Sequence, residues 1–238
     1  MKQMFKTPSV DWPYKFKAKL KVTKHPMLRD FYSAELPAKN TPIGEVEFLA
    51  MDFETTGLDT NKDEIITIGM VPFTLNRIYL NRAKHWTIRP RQKLNDDSVV
   101  IHGITHSDIN NAPDLSEVIE DVLQAMAGKI MVVHYRKIER EMLDKALKRR
   151  IKEGIIFPVV DTMELESQIQ RYISGGLWNR LKGKKPGSVR LGQSRVRYSL
   201  PAYTPHHALT DAIATAELLQ AQIAHHFSDK DPLQNYWL

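Results

Sequence analysis

The run AMDFETTGLD, residues 50–59, places two carboxylates, Asp52 and Glu54, at the end of an apolar stretch. Side chains alternate along a strand, so Phe48, Ala50, Asp52 and Glu54 share one face while Leu49, Met51 and Phe53 share the other. Two anions on one face repel each other and raise at least one carboxyl pKa, a cost that a divalent cation removes. Oxygen-only ligands favour Mg²⁺ or Mn²⁺. Such a pair is common by itself, since most strand ends simply emerge into water. A second charged cluster lies far along the chain, where HHALTDAIAT sets His206 and Asp211 at the head of an Ala-rich helical run. An acid among Ala208, Leu209, Ala212, Ile213 and Ala216 is expected to be partly buried, and buried acids need partners. The plainer reading is a first-turn acid stabilised by the helix dipole, with His206 near the cap.

The elements that must position these groups follow from periodicity. VEFLAMDF, EIITIGMVPF and IYLNRAKHWTIRP read as three antiparallel strands joined by short connections. LSEVIEDVLQAM is an amphipathic helix opened by a capping box of Asp114 and Glu117 and ended at Gly128. Then follow a buried strand KIMVVH, a helix IEREMLDKALKRR, a strand IIFPVV, a helix DTMELESQIQRYI and the final helix ALTDAIATAELLQAQIAHHF. This order implies an α/β sandwich with a mixed sheet. The early segment YKFKAKLKV is ambiguous. Its alternating Lys15, Lys17, Lys19 and Lys21 suit a half-exposed strand, whereas Asp11 before Trp12-Pro13 and the spacing of Trp12, Phe16 and Leu20 suit a helix.

Length and charge bound the rest. The 238 residues suit one core with an appended segment, and 34 Lys and Arg against 28 Asp and Glu give +6, which favours polyanionic partners. With no cysteine, disulfides and thiolate metal sites are excluded. No signal peptide or membrane-spanning run is evident, so a soluble cytoplasmic protein is expected, with no membrane partner. Between Glu166 and Asp211 there is no acid, while Arg171, Arg180, Lys182, Lys184, Lys185, Arg190, Arg195 and Arg197 all occur. Such a loop is either solvated surface or a phosphate-backbone contact.

Taken together, these residues resemble the DEDDh, or DnaQ-like, 3′–5′ exonucleases of the RNase H-like superfamily. The first motif is matched by DFETTGL, Asp52 to Leu58, and the third by His206 and Asp211 with the continuation DAIAT. VVIHGIT, residues 99–105, and VVDT, residues 159–162, match further segments. The similarity covers about Phe48 to Ala224. In the second motif HYRKIERE carries His134, but Ile138-Glu139 stands where Phe-Asp is usual. Glu139 keeps the charge on a longer arm that could reach a metal directly or through water, while Glu141, two residues along a helix, would face elsewhere.

The resemblance implies a three-layer RNase H-like sandwich with a mixed five-stranded sheet flanked by helices. It implies an extension at 1–44, an exonuclease domain at 45–228 and a tail at 229–238. It further implies two Mg²⁺ or Mn²⁺ ions per active site, about 3.5–4 Å apart. Asp52 would bridge both, Glu54 and Asp211 would complete the nucleophile-side site, and Glu139 would hold the leaving-group-side ion. His206 would be the general base. Thr55, Thr56 and Leu58 would contact the terminal nucleotide, with Leu58 either wedging beside the last bases or packing under a turn, and His102 would lie near the substrate. His134 would order a strand-to-helix turn, and Asp161 would cap a helix. Single-stranded DNA or DNA 3′ ends are the expected substrate, RNA the alternative, and a polymerase a possible partner. A non-catalytic nucleic-acid-binding scaffold and an RNase H-like endonuclease are the competing readings.

Overall fold

The computed structural model describes residues 10–92, 103–175 and 186–238. Its centre is a mixed sheet. Strand β1 (Phe48–Thr55) pairs antiparallel with β2 (Ile65–Thr74) on one side and parallel with β5 (Ile130–Val133) on the other, and β5 pairs parallel with β6 (Val159–Asp161). β1, β2 and β5 are almost wholly buried, as near-continuous apolar runs covered on both faces should be.

Among the described residues the sheet has six strands rather than the expected five, because the third strand breaks in two. Both β3 (Arg77–Ile78) and β4 (Lys84–Thr87) pair with β2, and a 3₁₀ turn at Leu80–Arg82 separates them. Within that turn the Arg82 and Ala83 amides donate to Tyr79 and Leu80 carbonyls, and the Arg82 guanidinium reaches Glu47, so these donors are satisfied locally instead of on the sheet. The expected strand IIFPVV pairs with β5 only at Val159–Asp161. Pro158, which has no N–H to give a ladder, marks its start.

Helix α8 (Ala208–His226) lies along β1 and β2 on one face, with α6 (Thr162–Ser174) and the short α7 (Leu191–Arg197) beside it. The sequence-predicted helix Leu115–Met126 forms α4, with both halves of its Asp114–Glu117 capping box in place. It follows the short α3 (His106–Asn110) and precedes α5 (Arg136–Ile151). Gly128, at φ +71°, turns the chain out of α4 into β5 in a conformation that favours glycine.

The ambiguous early segment is a helix, α1 (Trp12–Val22). Asp11 accepts from the Tyr14 amide at 2.9 Å, and Trp12 and Phe16 bury one stripe while the lysines face outward. An alternating strand would have needed a sheet edge; the cap and Pro13 at the first turn instead start a helix. With α2 (Pro26–Ser33) it adds Trp12, Phe16, Leu28, Phe31 and Tyr32 to the hydrophobic core shared with the sheet. At the other end the chain returns: Trp237 bridges Val160, and the Leu238 amide donates to the Val159 carbonyl at 2.9 Å.

Candidate active site

Asp52 stands on β1 directly opposite Gly69 of β2. The start of α8 crosses the sheet at that glycine. A Cβ on Gly69 would sit 2.2 Å from the Leu209 amide nitrogen and 2.3 Å from the Ala208 carbonyl carbon. Only a residue without a side chain lets the helix backbone come so close, and this approach brings Asp211 over the end of β1. Opposed residues of an antiparallel pair share a face, so Asp52 points to the same side as α8.

Three of the expected residues meet there: ligand atoms of Glu54, His206 and Asp211 all lie within 4.8 Å of one another. His206 sits in the left-handed region at φ +69°, and its amide donates to Asp211 Oδ2 at 2.8 Å, which ties the histidine's position to the first turn of α8. The ring of His207 caps that helix and stacks on His85 with centroids 5.0 Å apart.

Glu139 arrives from the first turn of α5, 3% exposed, and its Oε2 is buried with no hydrogen-bond partner among the described residues. The electrostatics join it to the others. Burial, then the charges of Glu139, Asp211 and Glu54, push the Asp52 carboxyl well above its usual range. Burial and the Asp211 charge push Glu54 up to about 7. Burial also raises Asp211, and raises Glu139 well up with help from Asp161. Mutually repelling acids around an orphaned buried oxygen are the donor set that a hard divalent cation satisfies. The residues therefore fit such ions.

The neighbours divide sharply. His134 donates or accepts at both ring nitrogens, with Thr162 Oγ1 at 2.8 Å and the Val189 carbonyl at 3.0 Å, and burial pushes it down to about 4. It is a neutral strut at the strand-to-helix turn, next to Tyr135 at φ +93°. Asp161 caps α6 through the Met163 and Glu164 amides, and also accepts from the Tyr135 and Arg136 amides, so one buried carboxylate fixes the start of two helices. Glu141 turns away from the cluster to Thr60 Oγ1 at 2.9 Å.

On the loop after β1, the Thr56 hydroxyl donates to Asp63 and accepts from the Glu64 amide, while Thr55 Oγ1 donates to the Gly57 carbonyl at 2.7 Å. Leu58 is 79% exposed, so packing under the turn is not its role. His102 lies outside the described residues, as do Arg180, Lys182, Lys184 and Lys185 of the basic stretch. Two of that stretch's remaining arginines are not free for phosphate: Arg195 pairs with Glu217 and Arg197 with Glu166. The reason is that buried Glu166 and half-buried Glu217 of the neighbouring helices need counter-charge more than solvent does. Gly69 was missed from sequence; a glycine inside a buried strand is the signal that could have found it.

The sequence profile of the RNase T-type exonuclease family matches residues 49–219. The chain belongs to that exonuclease family. Relatives of this exonuclease include the DNA polymerase III subunit epsilon of Treponema pallidum, 29% identical over 76% of this chain and 78% of that protein. The PolC-type DNA polymerase III of Thermotoga maritima is 28% identical over 75% of this chain, which spans only 12% of that protein. Among solved structures, the cell-death related nuclease 4 aligns with a TM-score of 0.64 at 18% identity, over 76% of this chain and 64% of that one. The nuclease domain of 3′hExo, a DEDDh family member bound to rAMP, aligns at 0.60 and 14% identity, over 76% and 92%. At these identities the structural matches speak for the fold, a mixed sheet flanked by helices of the RNase H-like exonuclease kind. Membership implies dependence on divalent metal. Among the described residues no helix is long and apolar enough to cross a membrane.

Proposed function

We propose that this exonuclease removes nucleotides from the 3′ ends of DNA and releases nucleoside 5′-monophosphates. The observation that carries the proposal is the convergence of Glu54, His206 and Asp211 within 4.8 Å, beside half-buried Asp52 and buried Glu139. Asp52, Glu54, Glu139 and Asp211 would hold two Mg²⁺ or Mn²⁺ ions. When bound, such a pair supplies positive charge to the scissile phosphate and lowers the pKa of the attacking water.

The chain's own groups do the remainder. His206, exposed at the mouth and fixed through its amide to Asp211, would accept the proton of the attacking water at a ring nitrogen. Exposed Leu58 would lean on the terminal base, and Thr55 and Thr56, immobilised by their own hydroxyl bonds, would present backbone to it. We place the catalytic unit at 45–228, with 1–44 and 229–238 as flanking segments; Trp12, Phe16 and Leu28 of the first and Leu233 and Trp237 of the second pack in its core. A cytoplasmic location and a polymerase partner fit the naming of the epsilon relatives. RNA ends are the second reading, because the 3′hExo neighbour was solved with rAMP.

The test is incubation with 5′-labelled single-stranded DNA, duplex DNA and RNA in Mg²⁺, Mn²⁺ or EDTA. Stepwise ladders that vanish in EDTA and with Asp52→Asn are expected; binding without cleavage in either metal would replace the enzyme with a scaffold. His206→Ala is expected to slow turnover while leaving nucleic-acid binding intact.

A further inference from the structure

A cavity of about 260 Å³ opens beside the carboxylate cluster, between α7 and the loop that leads to His206. Asp211 forms part of its wall, so the cavity shares that carboxylate with the candidate catalytic centre. The other walls are Val196, Leu200, Pro201, Pro205 and the ring of Tyr203. Val196 is 71% exposed and Tyr203 38% exposed, and together they form an apolar lip at the cavity mouth.

The floor is built. Arg195 is 4% exposed, and its guanidinium donates to the Ala214 carbonyl at 2.7 Å, the Pro201 carbonyl at 2.8 Å and Glu217 Oε2 at 2.7 Å. The same group lies 4.6 Å from the centroid of the Tyr203 ring, and the Tyr203 hydroxyl donates to Glu217 Oε1 at 2.9 Å. Tyr203 is therefore an exposed aromatic ring held at its edge and over a face, so little rotational freedom remains to be lost when a flat ligand meets it.

Resting on the exonuclease reading, we infer that this cavity is a nucleobase subsite for the substrate strand, with Tyr203 as its stacking platform. The occupant follows from three features. A strand whose phosphate lies at the carboxylate cluster has a base within reach of the space that Asp211 borders. The walls are apolar and suit the flat face of any base rather than the edge of one. The Arg195 contact and the Glu217 hydrogen bond fix the Tyr203 ring in place for a base to stack on.

The subsite is read by equilibrium binding, separately from turnover. Oligonucleotides in which one of the last three nucleotides is abasic are titrated against the full chain with Ca²⁺ in place of Mg²⁺, at one fixed salt concentration. The wild type is expected to bind one of these strands about tenfold more weakly than the intact strand. Tyr203→Ala is expected to bind intact and abasic strands alike, and Tyr203→Phe, which keeps the ring, to retain the difference. Should Tyr203→Ala fail to fold by circular dichroism, Val196→Asp carries the test, since its site is exposed and the new anion stands at the cavity mouth; it should erase the same difference. Tyr203→Ala or Val196→Asp protein that folds and still distinguishes the strands as wild type does would overturn the subsite. A wild type that shows the binding difference but cleaves nothing in Mg²⁺ or Mn²⁺ would overturn the exonuclease reading and leave the subsite standing.

Discussion

Replacing Gly69 by alanine tests how the site is assembled, because no proposed ligand is touched. In an exposed strand the change would be mildly favourable, by about 0.5–1 kcal/mol, since glycine has more freedom to lose on folding. Here the new methyl would lie 2.2 Å from the Leu209 amide nitrogen, and ordinary contact begins at 3.4 Å, so the start of α8 must retreat by about 1.2 Å. The obstacle is helix backbone and not a flexible side chain, so the strain is expected to cost about 1–3 kcal/mol and to outweigh the entropic gain. Asp211 is carried on that same first turn, opposite Asp52. A displacement of about 1 Å in a catalytic constellation is worth roughly a hundredfold in rate. Gly69→Ala should therefore keep its circular dichroism spectrum, melt several degrees lower and lose about two orders of magnitude in kcat on 5′-labelled DNA. A variant with kcat within about twofold of wild type would refute the idea that this close approach positions Asp211.

The raised carboxyls make a prediction about pH in EDTA. Glu54 holds its proton more tightly folded, at about 7, than unfolded, near 4.5, so its contribution to stability is complete below 4.5 and is lost as pH rises through 7. The melting temperature of wild type relative to Glu54→Gln should fall across that window, and Mg²⁺ or Mn²⁺ should reverse the fall; a flat difference would exclude the effect. Arg150→Ala removes a cation with 3% side-chain exposure that bonds Glu64 at 2.8 Å and Asp114 at 3.3 Å, and should cost about 3 kcal/mol in urea unfolding at pH 7. Both carboxyls are held below their usual range, Glu64 with its Arg150 bond foremost among the lowering causes, so the deficit should shrink as acid protonates them in both proteins. Leu58→Ala should change stability by less than about 0.5 kcal/mol, because the side chain is exposed, while raising KM; an unchanged KM would remove Leu58 from substrate contact.

Much was legible in the residues themselves. Strand alternation set Asp52 and Glu54 on one face, the Asp114–Glu117 box announced α4, and the Ala-rich run after Asp211 announced α8, because each depends on neighbours within a few positions. Sequence also fixed that Glu139 keeps the charge of the second motif. What it left open needed contacts between distant segments. Whether YKFKAKLKV is strand or helix depended on what Trp12 and Phe16 could bury against, and the break between β3 and β4 depended on how two short strands both register on β2.

The convergence itself belongs to the tertiary structure. Spacing along the chain says nothing about how near Asp211 comes to Glu54, since that distance is decided by a glycine on a third element and by the crossing of a helix over the sheet. The same holds for the arginines after Glu166: composition makes them candidates for phosphate, and only the fold shows that Arg195 and Arg197 neutralise acids on α8 and α6. Local chemistry is written in order along the chain. Mutual repulsion, burial and unsatisfied oxygens arise only when folding removes water from groups that sequence keeps far apart.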